Sequence, residues 1–147
     1  MSEEKYQILE EEDQRKYKRL SSSFPVEFTI VRLQGNLPGI NWEKGCTRNV
    51  SKTGLCLETS QLSEATMNFL SNENIFLDLR IQVPLSPKAV KAVGEVVWFR
   101  KKKDEGQEHY YVGLHFRSIP HSSLKLMLRH AKVKSFFNLF VSKGKAS

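Results

Sequence analysis

Between Phe24 and Val31 two kinds of side chain take turns: Phe24, Val26, Phe28 and Ile30 alternate with Pro25, Glu27, Thr29 and Val31. A period of two predicts a strand with one buried face, and Pro25 predicts that this strand starts at a sheet edge. The stretch "LQGNLPGINWEKG" carries three glycines and a proline, so it reads as the connection to a second strand from about Lys44 to Val50. A third strand, "GLCLET", begins at Gly54. Three longer ones follow in "NIFLDLRIQVP", "KAVKAVGEVVWFRKK" and "HYYVGLHFRSI", the last two joined as a hairpin by the polar turn "KKDEGQE". Before them, "SQLSEATMNFLSNE" offers Ser60 or Ser63 as a helix cap and Leu62, Met67, Phe69 and Leu70 as its apolar set. That pattern predicts one or two helical turns over an open end of the sheet.

After Pro120 the period lengthens. Leu124, Met127, Leu128 and Ala131 fall at helical spacing, and a second apolar cluster follows at Phe136, Phe137, Leu139 and Phe140. The fold class expected is mainly β: six closely spaced strands in an antiparallel barrel or sandwich, with a C-terminal α-helix. The cluster "SFFNLFV" is unusually apolar for a chain end and has two readings, docking on the barrel or an oligomer interface. Residues 1–20 are expected to form an acidic segment and a flexible arm, 21–120 the β domain, and 121–147 the C-terminal helix and tail.

Composition agrees with one globular domain: 147 residues, 39% hydrophobic and 10% aromatic, are enough for one sizeable core. No apolar run reaches the roughly 18 residues of a membrane span, and "MSEEKYQILEEEDQ" is too acidic for a targeting peptide, so a cytoplasmic location is expected. Cys46 and Cys56 offer no metal spacing and read as small buried hydrophobes, with neither a disulfide nor zinc expected. Charge changes the picture more. The net charge is +7, with six acids and one lysine in residues 3–13, against seven Lys/Arg and no acid in residues 109–147. That asymmetry favours an anionic partner without choosing among nucleotide, nucleic acid, lipid surface and acidic protein.

Two short patterns lie thirty residues apart: "RKYKR" from Arg15 to Arg19, an RxxxR, and "NVSKTG" from Asn49 to Gly54, a [D/N]xSxxG. Together they resemble the PilZ domain family, whose members bind the bacterial second messenger cyclic di-GMP. "VGEVVW" at Val93 to Trp98 is similar to the family's G-x-V-x-W strand, and "YYVGLHF" at Tyr110 to Phe116 to its aromatic-x-V-G-hydrophobic-x-F strand. The match runs over about residues 14–130. The resemblance implies a six-stranded PilZ-type β-barrel and a stand-alone receptor that needs no further cofactor. It implies ligand-binding roles for Arg15, Arg19, Asn49, Ser51 and Gly54, with Gln14, Tyr17 and Trp98 as further candidates.

The chemistry of these residues suits such a ligand. A cyclic dinucleotide presents two phosphodiester anions and two guanines. Arginine's planar fork matches both phosphate and the guanine Hoogsteen edge, each good bidentate pair being worth about 1–3 kcal/mol, where lysine supplies only a point charge. Asn49 and Ser51 stand two apart at a strand end and project to one face, with Val50 turned into the core between them. Asn49 can accept from guanine N–H groups, and the Ser51 hydroxyl can bond phosphate or base. Family members more often carry Asp at the first position, and a neutral Asn makes the weaker bond. Gly54 is expected to supply a backbone conformation or a close approach that a side chain forbids. Tyr17, between the two arginines, can stack on a guanine. Trp98 has two readings: strict alternation with an inward Val96 makes it a core residue, whereas the resemblance puts it beside the ligand, where stacking on a base is worth about 1–3 kcal/mol.

Nothing in the sequence points to catalysis. There is no nucleophile elbow, phosphate-cradling glycine loop or paired carboxylate, and Ser51 has no visible base, so the chain is not expected to be an enzyme. His109, His115, His121 and His130 lack the spacing of a metal site. "RKKK" at Arg100 to Lys103 reads as a solvated hairpin tip. The partners expected are cyclic di-GMP and an unidentified downstream protein acting in motility, exopolysaccharide synthesis or adhesion, but not nucleic acid. Two rival readings stay open: a PilZ-like adaptor that binds no nucleotide, and a basic β-barrel that binds single-stranded nucleic acid.

Overall fold

The computed structural model describes residues 18–31, 41–72 and 74–146, with side chains as far as Val133 in the last stretch. Among the described residues, seven strands run in chain order as β1 (Leu20–Ser21), β2 (Pro25–Ile30), β3 (Glu43–Val50), β4 (Gly54–Thr59), β5 (Phe76–Ile81), β6 (Val90–Asp104) and β7 (Gln107–Ser118). Six of them close on themselves. The order β3-β2-β5-β6-β7-β4 returns to β3 through the β3–β4 pairing, and every pairing is antiparallel. Closure removes free edges, as expected for a small all-β domain.

β1 lies on the same edge of β3 as β2, one stretch further along. The two are halves of one strand interrupted at Ser22–Phe24. Thr47 bridges the break: its hydroxyl accepts from the Phe24 N–H at 2.9 Å and bonds the Ser22 hydroxyl at 2.7 Å, while its own N–H donates to the Phe24 carbonyl. All of this is buried, so the break costs no orphaned donor. Pro25 therefore does not mark an edge: β2 lies between β3 and β5. Proline is accommodated as the first residue of the strand, where its carbonyl takes the Gln82 N–H just past the end of β5.

The alternation read from the sequence holds in β2, where Val26, Phe28 and Ile30 are buried. They join Leu57, Leu77, Leu79, Ile81 and Val112 in one core. From the C-terminal helix His121–Ala146, Met127 and Ala131 enter that core fully buried, with Leu126 and Leu128 packed beside them. The readings for "SFFNLFV" concern side chains outside the described residues. The short helix Glu64–Leu70 is capped by Ser63, not Ser60. The Ser63 Oγ accepts from the Thr66 N–H, and the Ser63 N–H donates to the Glu43 carboxylate at 2.6 Å, which ties the helix start to β3.

The β6–β7 hairpin is tighter than "KKDEGQE" predicts. The strands run on to Asp104 and Gln107, and only Glu105 and Gly106, at φ 50° and 82°, make the turn. Two consecutive positive φ values belong to the two-residue turn whose twist matches that of paired strands. Lys101 to Lys103 are exposed in the strand leading to the turn, with Lys101 paired to Glu108 at 3.2 Å. No helix among the described residues is long and apolar enough to cross a membrane.

Candidate functional site

Two irregularities in strand pairing build the site. On β3, Thr47 faces Leu57 and Asn49 faces Cys56, so Arg48 is an extra residue that the partner strand does not match. On β6, Val96 faces Leu114 and Trp98 faces Gly113, so Val97 is extra and is 60% exposed. Each bulge shifts the parity of the strand beyond it. Val96 packs on the core and Trp98, two residues later, faces out: strict alternation, which would have buried Trp98, fails at Val97. Neighbouring strands then bring Asn49, Cys56, Gly113 and Trp98 into one outward row across β3, β4, β7 and β6.

The middle of that row carries small groups. Cys56 is 5% exposed, and Gly113 has no side chain. A Cβ added to Gly113 would come within 2.2 Å of the Trp98 indole nitrogen, so the ring lies directly on the bare backbone. With tall side chains at both ends and short ones between, the face becomes a cavity of about 240 Å³ lined by Arg19, Asn49, Ser51, Gly54, Cys56 and Trp98, with Thr53 and His115 at one end. Arg19 reaches it because β1 pairs Leu20 with Val50 and Ser21 with Asn49, which anchors the arginine beside the β3–β4 turn.

Arg19, Asn49, Ser51, Gly54 and Trp98 thus meet at one place, although they come from three separate stretches of chain. Gln14, Arg15 and Tyr17 lie outside the described residues. Val50 is fully buried between Asn49 and Ser51, as the spacing predicts. Asn49 is half-buried, and its side chain makes no hydrogen bond among the described residues. Ser51 differs from the expectation of a polar shelf. Its hydroxyl accepts from the Thr53 N–H at 3.2 Å and its N–H donates to the Gly54 carbonyl at 2.8 Å, so it shapes the turn from within and is only 5% exposed. Of the two explanations for Gly54, the close approach applies: a Cβ there would lie 1.9 Å from the Leu114 carbonyl oxygen.

Electrostatically the site is cationic. Burial pushes the Cys56 thiol up to about 11, while the guanidiniums of Arg48 and then Arg19 act in the opposite direction. Cys56 is thus the buried residue expected, whereas Cys46 is only half-buried, and the two form no disulfide with each other. The folded chain keeps the Cys56 proton at a pH where the unfolded chain, near 9.0, has released it. That contribution is complete below pH 9 and lost as pH rises toward 11. Wild-type protein is expected to lose melting temperature between these values more steeply than Cys56→Ala, and equal slopes would remove Cys56 from the account.

The sequence reading did not single out Arg48, Gly113 or Tyr111, and it took Arg100 as part of a solvated hairpin tip. Arg48 lies over the Tyr111 ring, 4.9 Å from its centroid, and Arg100 over the Trp98 ring at 5.2 Å. Gly113 was visible as the glycine of "YYVGLHF", and a lone glycine inside a strand is a sign of close approach. The arginines carried no such sign. No group of three or more His, Cys, Asp or Glu residues suited to a metal occurs among the described residues.

Comparison with known proteins gives this geometry a family. A search of curated sequences finds no significant match. Among solved structures, the PilZ domain of YcgR from Escherichia coli with c-di-GMP superposes with a TM-score of 0.56 at 13% identity, covering 90% of this chain and 97% of that one. The Bacillus subtilis inhibitor of motility MotI/DgrA gives 0.56 at 17% identity, over 83% of this chain and 51% of that one. PlzA of Borreliella burgdorferi, in complex with c-di-GMP, gives 0.55 at 12% identity over 97% of this chain and 58% of that one. The chain therefore spans little more than half the length of MotI and PlzA. At these identities the likeness establishes the fold, a six-stranded antiparallel barrel. The family model for the PilZ domain matches residues 13–132, most of the chain. By that match the chain belongs to the PilZ domain family.

Proposed function

We propose that the protein is a receptor for cyclic di-GMP and not an enzyme. The observation that carries this reading is the convergence of Arg19, Asn49, the Ser51–Gly54 turn and Trp98 on one cationic cavity. Each supplies something the ligand needs: a fork for phosphate or the guanine Hoogsteen edge, an uncommitted amide for guanine N–H groups, and an aromatic face for a base. Two relatives of the same fold were solved with c-di-GMP, which supports the choice of ligand.

At about 240 Å³ the cavity is smaller than the roughly 300–1,000 Å³ that encloses a drug-sized molecule. A cyclic dinucleotide would overfill it, so part of the ligand must be covered from outside. Gln14, Arg15 and Tyr17 immediately precede Arg19 and are the residues placed in the chain to do so. Binding would draw this arm onto the barrel, and the surface so formed would be read by a downstream protein, in motility, exopolysaccharide synthesis or adhesion. A cytoplasmic location is part of the same reading, since the messenger is made and read inside the cell.

Calorimetric titration with cyclic di-GMP is the test, with linear pGpG and cyclic di-AMP as controls. The expected result is saturable binding at micromolar dissociation constants or tighter, about −8 kcal/mol or more, weakened at least tenfold by Arg15→Ala. Absence of heat at high micromolar ligand would leave an adaptor with inherited motifs.

A further inference from the structure

Beside the cavity, on the row of residues next to Cys56 and Gly113, stand two arginines that neither motif contains. Arg48 sits in the β3 bulge, beside Asn49. Its guanidinium stands 4.9 Å from the centroid of Tyr111, which belongs to β7, two strands away. The side chain therefore crosses β4 along the row next to Cys56 and Gly113, at the rim of the cavity. Glu58 and Tyr111 are paired beneath it. On β6, Arg100 is the register partner of Tyr111 and lies over Trp98. Two arginine–aromatic contacts thus border the same depression, away from the arm that carries Arg19.

A surface arginine on a tyrosine ring is common and by itself means little. Three features distinguish this one. The bulge that makes Arg48 an extra residue is the same one that turns Asn49 toward the cavity. Arg48 forms no ion pair with any carboxylate among the described residues. Its contact with Tyr111 is with a ring face and not with an oxygen, which leaves N–H donors of its fork for acceptors.

We propose that Arg48, held in place by Tyr111, is a further ligand-contacting residue that bonds a phosphodiester of the cyclic dinucleotide from the side opposite Arg19. The inference rests on the receptor reading and adds a division of labour. Arg19 approaches from the β1 side, whereas Arg48 stands over Tyr111 in the folded barrel and loses little freedom when it engages.

Titrations with cyclic di-GMP on wild type, Arg48→Ala, Arg48→Lys and Tyr111→Leu test it, each paired with a urea unfolding curve. Arg48→Ala is expected to bind at least about tenfold more weakly with an unchanged unfolding midpoint. Lysine, which keeps the charge without the fork, should restore only part of that loss. Tyr111→Leu, which removes the platform and leaves Arg48, should fall between wild type and Arg48→Ala. Should Arg48→Ala not fold, Arg48→Lys decides: about fivefold weaker binding supports the fork contact, and wild-type affinity overturns it. Binding by Arg48→Ala within twofold of wild type overturns this inference and leaves the receptor reading standing, whereas failure of wild type itself to bind overturns both.

Discussion

Arg19→Ala is expected to weaken cyclic di-GMP binding by about 10- to 100-fold, equivalent to roughly 1.4–2.8 kcal/mol. Two structural facts set the size of the effect. Arg19 lines the cavity, and it is anchored there by the adjacent β1–β3 pairing, so no rearrangement of the barrel is needed to bring it to the ligand. Removing it also leaves its phosphate or guanine partner in a partly enclosed site without a charged donor, which adds a desolvation cost to the lost bond. Arg19→Lys should recover only a fraction, because a point charge cannot make two parallel bonds. Calorimetry on the three proteins measures this, and an Arg19→Ala dissociation constant within twofold of wild type would sink the assignment. The unfolding midpoint should not change, since the residue is exposed.

Gly54→Ala is expected to have the opposite profile, a loss of stability first and of binding only in consequence. The added Cβ would stand 1.9 Å from the Leu114 carbonyl oxygen, and that oxygen belongs to the backbone of β7. Backbone in the middle of a closed barrel has no free direction to yield, so β4 and β7 must separate where Gly54 faces His115. Overpacking of this kind costs about 3 kcal/mol at the upper end of its usual range. For a chain of this size that lowers the melting temperature by roughly 6–12 °C. Gly113→Ala is the informative contrast. Its Cβ would meet the Trp98 indole, a side chain at the surface that can swing aside. It should melt closer to wild type while losing affinity, because the displaced ring no longer walls the cavity. Thermal denaturation and titration of both variants separate the two roles, and a Gly54→Ala protein melting with wild type would show that β4 and β7 can part without cost.

Much of the barrel was legible in the alternation of Val26, Phe28 and Ile30 and in the placing of glycines and polar turns. Burial of every second side chain is a local requirement, which a sequence displays directly. The expectation for Pro25 failed because an edge is a property of strand order: whether β2 has a neighbour on each side is decided by closure, not by the residues within it. Ser51 shows a related limit: its place in the motif was plain, and it lines the cavity, but the bond from the Thr53 N–H to its hydroxyl forms only once the chain reverses at Gly54.

What the sequence by itself determined is the six barrel strands, the helix after Pro120, the two motifs and the family they resemble, because period, turn chemistry and short spacings are all written along the chain. Only the tertiary structure decided that Trp98 faces outward, that Cys56 and Gly113 make the hollow between it and Asn49, and that Arg48 reaches the rim by crossing β4. All three depend on bulges at Arg48 and Val97. A bulge is a mismatch of length between two paired strands, and it exists only when both are in register, so no single stretch of the sequence contains it.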